Sequence, residues 1–515
     1  MFFTYTFVTC CIIDGVKKRG RTLDYFLLSA LTLAALLIHG YHLGIEDQAV
    51  YLPAIKKTLD PSLYPHDSEL FVPQTNLTLF GKLIAFLVRH THLSCAAVLF
   101  IVYLLSVFLI LLGCLKLSRR LFPEPHAQWA GVCLIAALLT VPVAGTALYL
   151  VDQYLHPRAL ATFALLFAFL AVYPREEPGE AVTDVRLTPG RLLWMLFWVV
   201  AAATVHIMMA FYGAGLLIFL LWRTPRRAEP LLAAVALPFR SLWEPASAAW
   251  RKAARTRTYN YLLQWHWYEW LGIAGPLGLL EWFSRLGRRH ALPRVEHLSR
   301  RLALFGLFSF AVALVTTVPQ RFERLTPYQP LRCFHLVYLL FFLMAGGLLG
   351  KWVLRRSALR WLALFVPLSL GMLYAQLQLF PGSPHIEWPG VQDPNPWVQA
   401  FVWVRHHTPK AAYFALDPHF MALPGEDFHG FRAFAERSRL ADDVKDPGVV
   451  TLFPAVGNRW LEEVSALQGW KHFTARDFRE LKRRFGVNWV VLERGQGPDL
   501  DCPYQNNRVR VCRIE

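Results

Sequence analysis

Two adjacent carboxylates, Glu46 and Asp47, follow directly on the first apolar run of membrane length, residues 27–38 extended by Asp24-Tyr25-Phe26 and His39-Gly40-Tyr41-His42. Carboxylates at a membrane rim are costly unless they face water, a cation or a partner. Their type and place allow general-base chemistry, or the holding of a divalent cation such as Mg or Mn through oxygen ligands. A hydrated acidic pair closing a helix end is the plainer alternative. Asp67 and Asp152 are weaker versions of the same signal. Arg158, Arg321, Arg324 and Arg332 lie between apolar runs, where a guanidinium can clamp a phosphate or diphosphate through paired hydrogen bonds. Such arginines also pair with carboxylates or snorkel to headgroups. His66, His156 and His206 could ligate a metal or carry protons, but no two stand at i and i+4, so each reads first as a hydrogen bonder at a helix end.

The elements that must position these groups are membrane helices. Of 515 residues, 55% are hydrophobic, and the mean hydropathy of +0.34 is too high for a soluble chain of this length. With roughly 20 apolar residues per span as the guide, and short or broken spans allowed, about eleven are expected. They lie near 24–43, 95–116, 128–148, 158–173, 192–205, 207–222, 230–242, 269–286, 301–319, 333–350 and 361–380. Basic clusters at 17–21, 116–120, 175–191, 223–227, 285–289 and 351–360 then share one side, which the positive-inside rule assigns to the cytoplasm. Residues 1–23 read as a cytoplasmic tail, because their charges follow the short apolar stretch rather than precede it as in a signal peptide. The acids, histidines and arginines gather on the opposite, outer face: the long first loop 44–94, a short loop with Asp152 and His156, and a loop at 243–268 that ends in an aromatic cluster, Trp265 to Trp270. That cluster reads as an interfacial belt.

The net charge of +17 does not indicate nucleic-acid binding, since the excess lies in short clusters between apolar runs. From Pro381 onward, 17 lysines and arginines face 17 aspartates and glutamates. This tail, 384–515, alternates amphipathic helices (397–407, 459–467, 475–485) with strands (411–416, 487–492, 509–514), the pattern of a small α/β domain outside the membrane. Its densest polar motif, Pro424 to Arg432, reads as a turn or as a loop at the membrane face. Cys502 and Cys512 flank a turn-like stretch and are either a hairpin-stapling disulfide or two free thiols. No Walker loop, dinucleotide fingerprint, HExxH or GxSxG element is present, which argues against a nucleotide-driven pump.

The segment Gly44-Ile45-Glu46-Asp47-Gln48-Ala49-Val50-Tyr51-Leu52-Pro53 after the first span, the odd span count and the outer domain together resemble the GT-C glycosyltransferases, which include oligosaccharyltransferases and protein mannosyltransferases. The chain is similar, more closely, to a group of bacterial multi-pass membrane proteins. Their tails carry a Thr-Pro and then a Gly-Phe-Arg pattern, as in Thr408-Pro409 and Gly430-Phe431-Arg432. The resemblance implies an α-helical polytopic protein of the bacterial inner membrane with an extracytoplasmic α/β tail. It also implies transfer of a sugar from a polyprenyl-phosphate-linked donor to an outer-face acceptor. The first-loop acid of that superfamily acts as base or metal ligand, a role that carries over to Asp47, with Glu46 as the alternative. One or more of Arg158, Arg321, Arg324 and Arg332 would stabilise the departing lipid phosphate, with Asp152, His156 and His206 lining the substrate site. No WWDYG-like element is present, so transfer to asparagine is not expected. Transport of a lipid-linked glycan or solute, or a non-catalytic assembly role, are the alternatives. Transport would need charges at mid-span, and the spans carry few.

Overall fold

In the computed structural model, residues 21–174, 187–222 and 246–515 are described. The N-terminal stretch through Arg19, the arginines at 175, 186, 223, 226 and 227, and the expected span 230–242 lie outside the described residues. Among the described residues, five helices are long and apolar enough to cross a membrane: Thr22–His39, Cys95–Leu121, Pro293–Thr317, Gln320–Leu354 and Ala358–Leu379. Three shorter apolar helices, Pro157–Phe169, Pro189–Val205 and Ile207–Leu221, accompany them. A mostly helical chain with several such elements is a membrane protein.

In chain order the elements of this part are α1 (Arg21–His39), α2 (Gln48–Leu59), α3 (Phe80–Thr91), α4 (Cys95–Leu121), α5 (Pro125–Ala137), the hairpin β1 (Pro142–Val143) and β2 (Leu148–Tyr149), α6 (Pro157–Phe169), α7 (Pro189–Val205), α8 (Ile207–Leu221), α9 (Ala248–Arg255), α10 (Trp267–Arg289), α11 (Pro293–Thr317), α12 (Phe334–Leu349) and α13 (Ala358–Leu379). Two expectations need correction. The run 128–148 is helical only to Ala137, because Pro142, which donates no N–H, and Gly145 at φ +37° turn the chain into the hairpin. Stretch 44–94 is not an open loop but carries α2 and α3, whose Leu83 and Phe86 remain exposed. At the centre, α12 is apolar all round and buried, the signature of a helix with no solvent face. It lies so close to α5 that a Cβ on Gly131 would sit 2.6 Å from the Leu343 carbonyl oxygen, the small-residue contact typical of membrane helices.

The tail holds α14 (Pro396–His407), β3 (Tyr413–Ala415), α15 (Phe431–Ala435), β4 (Ser438–Arg439), α16 (Asp446–Leu452), α17 (Gly457–Ala466), α18 (Ala475–Phe485), β5 (Trp489–Glu493), β6 (Tyr504–Gln505) and β7 (Val509–Arg513). The sheet order is β4-β3-β5-β7-β6; β3 runs parallel to β4 and β5, and β7 antiparallel to β5 and β6. Alternate residues of β5 feed two cores. Trp489 and Val491 pack with Phe401 and Val404 of α14, whereas Val490 and Leu492 pack with Phe478 and Leu481 of α18. A strand covered on both faces reads as an unbroken apolar run, which is why Trp489 to Leu492 is so plain in the sequence. Cys502 and Cys512 form a disulfide.

Candidate functional site

The acidic turn is fixed by its backbone. Gly44 at φ +71° and Glu46 at φ +50° occupy the left-handed region, a conformation that a glutamate adopts only when its surroundings hold it there. The Glu46 N–H donates to the Phe428 carbonyl at 3.0 Å, and the Gly430 N–H donates to the Gly44 carbonyl at 2.9 Å. The Gly-Phe-Arg motif thus zips the turn to the tail. Gln48 adds a clamp, accepting from the Gly44 N–H at 2.7 Å and donating to the Leu155 carbonyl at 3.0 Å.

Asp47, at the head of α2, faces groups from distant parts of the chain. His156 Nε2 lies 3.3 Å from one carboxylate oxygen, and Lys445 Nζ lies 3.2 Å from the other. Lys445 also pairs with Glu46. The His156 tautomer is set by its other nitrogen: Nδ1 accepts the Arg158 N–H at 3.0 Å, capping α6, so the proton sits on Nε2 and points at Asp47. His206 repeats the arrangement between α7 and α8, accepting the Met209 N–H at 3.2 Å through Nδ1. The two imidazoles stand 5.8 Å apart, so the positive N-terminal ends of α6 and α8 converge on one place.

That place is a cavity of about 170 Å³. Asp47, His156, His206, Arg257, Arg332 and Lys445 supply its polar wall, and Leu77, Val205, Ile207 and Leu452 its apolar part. Leu77 and Ile207 are also exposed at the protein surface, so the cavity borders apolar surface. Arg332 stacks on Tyr259 at 5.2 Å, and its Nε is buried without a hydrogen-bond partner. Arg257 donates to the Lys445 carbonyl at 2.9 Å. It passes so close to Gly448 that a Cβ there would lie 2.8 Å from the guanidinium. Burial alone would push the Asp47 carboxyl up, but Lys445 and then His156 outweigh it and hold the group well below the usual carboxylate range. Asp47 is therefore ionised, with 43% of its side chain accessible. Burial pulls the Lys445 ammonium down, and Glu46 and Asp47 more than restore it, leaving it above the ordinary lysine range.

Of the residues singled out in the sequence, Asp47, His156, His206 and Arg332 meet here, with Glu46 one step behind through Lys445. The others do not. Arg158 is buried and spends its guanidinium on both oxygens of Asp152, at 2.7 and 2.6 Å, so this pair shapes the field without facing the cavity. Arg321 is exposed and lies over its neighbour Phe322, and Arg324 packs on Trp250; neither lines the cavity. Asp67 is a structural partner of Arg432 at 2.5 Å. A divalent cation does not fit Asp47, because its ion-pair partners among the described residues are an ammonium and an imidazole N–H, and the neighbouring carboxylate, Glu46, is held by the same lysine. Lys445 and Arg257 are the residues that sequence reasoning passed over. Arg257 stood in the arginine-rich loop 243–268, whereas Lys445, flanked by acids, gave no signal.

No family model and no curated protein matches this chain, so the functional reading rests on the geometry.

Proposed function

We propose that this protein is a GT-C-type membrane glycosyltransferase that moves a sugar from a polyprenyl-phosphate-type lipid donor to an acceptor hydroxyl. In this reading it crosses the inner membrane about eleven times, with its N-terminus cytoplasmic and its α/β tail extracytoplasmic. The observation that carries the proposal is a single cavity in which an ionised carboxylate, three cationic side chains and two helix N-termini meet an apolar wall. Arg332, Arg257, Lys445 and the helix ends suit the phosphate of the donor, and the apolar surface around Leu77 and Ile207 suits its prenyl chain. The acceptor oxygen attacks the anomeric carbon, the bond from that carbon to the phosphate oxygen breaks, and the phosphate leaves with the electron pair. The acceptor proton passes to Asp47. Lys445 drawn toward the lipid phosphate leaves Asp47 more basic, so donor binding itself prepares the base.

The test uses full-length protein in lipid nanodiscs with a polyprenyl-phosphate sugar pool from native membranes, following release of polyprenyl phosphate. Asp47→Asn lowers turnover by about 10²-fold or more, and Arg332→Gln weakens donor use, with expression unchanged. Wild-type turnover in Asp47→Asn sinks the proposal, as does cysteine labelling that places residues 46 and 47 on the cytosolic side.

A further inference from the structure

Where the tail meets the turn that follows α1, Glu387, Asp393 and His429, none of which lines the Asp47 cavity, bring one ligand atom each within 4.8 Å of one another. The outer atom of each is tied by backbone. Glu387 Oε2 accepts the Leu43 N–H at 2.9 Å, Asp393 Oδ1 accepts the Asn395 N–H at 2.8 Å, and His429 Nδ1 donates to the Glu426 carbonyl at 2.7 Å. These bonds turn Glu387 Oε1, Asp393 Oδ2 and His429 Nε2 inward, Oε1 taking contacts from His429 Nε2 at 3.2 Å and His42 Nδ1 at 2.8 Å. A carbonyl only accepts, so Nδ1 keeps a proton directed at Glu426, while Nε2 lies within hydrogen-bond reach of Glu387 Oε1 at 3.2 Å; an arriving metal ion would take the place of the Nε2 proton. Asp393 Oδ2 is buried and has no hydrogen-bond partner. A ligating histidine whose other nitrogen donates to a backbone carbonyl is the usual outer arrangement of a metal site.

We propose that Glu387, Asp393 and His429 form a binding site for a divalent transition-metal ion, zinc foremost, that ties together two segments of the tail beside the turn following α1. One nitrogen and two carboxylate oxygens are ligands zinc accepts, and a water completes the four. The nitrogen also favours a transition metal over magnesium or calcium. His42 Nδ1, 2.8 Å from Glu387 Oε1, braces the central carboxylate from the α1 side. Asp393 sits in a largely exposed stretch that includes Val391, which gives an ion access.

The experiment loads detergent-purified full chain with ZnCl2, desalts it and counts zinc by mass spectrometry, with Co²⁺ as the optical probe. Wild type should keep one zinc per chain and give the visible bands of low-symmetry cobalt. Asp393→Asn, at a half-buried position that tolerates an amide, should bind at least tenfold more weakly, and His429→Gln likewise. Loss of binding in either variant with an intact size-exclusion profile supports the site. A wild type that keeps no zinc and gives no cobalt spectrum, or an Asp393→Asn protein that holds both ions like wild type, overturns it; the first result means that Glu387 and His429 form an ion pair and nothing more. None of these outcomes depends on glycosyl transfer.

Discussion

Arg432 offers the sharpest test of how the tail is held to the first loop. Its Nε donates to Asp67 at 2.5 Å, and its two terminal nitrogens donate to Asp446 at 2.8 and 3.1 Å. Arg432 is 3% exposed and both carboxylates 0%, so this is a buried triad joining the α2–α3 region to α15 and α16. Removing one partner of a buried ion pair leaves an uncompensated charge and costs about 3–5 kcal/mol. Asp67 would keep only the Arg439 N–H at 3.2 Å, and Asp446 only the Asp442 N–H at 2.9 Å and a guanidinium 3.8 Å away. Arg432→Met should therefore raise the population of the undocked tail on the order of 10²–10⁴-fold. Limited proteolysis reads this directly, because the stretch joining the two parts exposes Trp388 and Val391, and cleavage tracks the open population when reclosing is fast. The double variant Asp67→Asn with Arg432→Met should be less sensitive than Arg432→Met alone, since one stranded charge has been removed. Arg432→Met cut at the wild-type rate, or a double variant worse than both single variants added together, refutes the reasoning.

Two further predictions concern the cavity and the sheet edge. The Asp47 carboxyl is held below its ordinary range by Lys445, so what its ionised form contributes is present above that range and lost as pH falls through the folded value. Lys445→Met removes the main restraining charge, so the acid limb of the pH–rate profile should move to higher pH; an unmoved limb means that Asp47 does not set it. Cys502→Ser should destabilise the β6–β7 edge by about 2–3 kcal/mol, the entropy of closing a short loop, here a sequence separation of 10. Faster proteolysis of the tail in the variant, matched by dithiothreitol on wild type, checks this.

How much the sequence discloses depends on whether a feature is written in periodicity or in pairing. The tail elements are readable because α18 and α14 repeat their apolar residues at helical spacing and β5 is apolar up to its last residue, Glu493. The first loop is not readable in this way: α2 contains Pro53 and has a weak apolar stripe, so it resembles a loop until the tail packs against it. Asp47 stands out in the sequence by its place after a helix of membrane length, but its partners do not. Lys445 lies 398 residues away, and no local pattern marks it. Arg158 misled for the opposite reason, because the carboxylate that neutralises it is only six residues upstream, and spacing alone does not say that the two side chains meet.

The site is assembled from both halves of the molecule, and this has a mechanical consequence. The tail supplies Lys445 and the Gly448 gap through which Arg257 reaches the cavity, and its residues 428–430 hold Glu46 in a left-handed conformation it would otherwise leave. The ends of the apolar helices α6 and α8 supply His156 and His206, and the turn before α12 supplies Arg332. An undocked tail would thus lose a cation and free the acidic turn in the same event. The buried Arg432 triad then does more than stabilise the fold, since the carboxylate and the cations face one another only while it is closed.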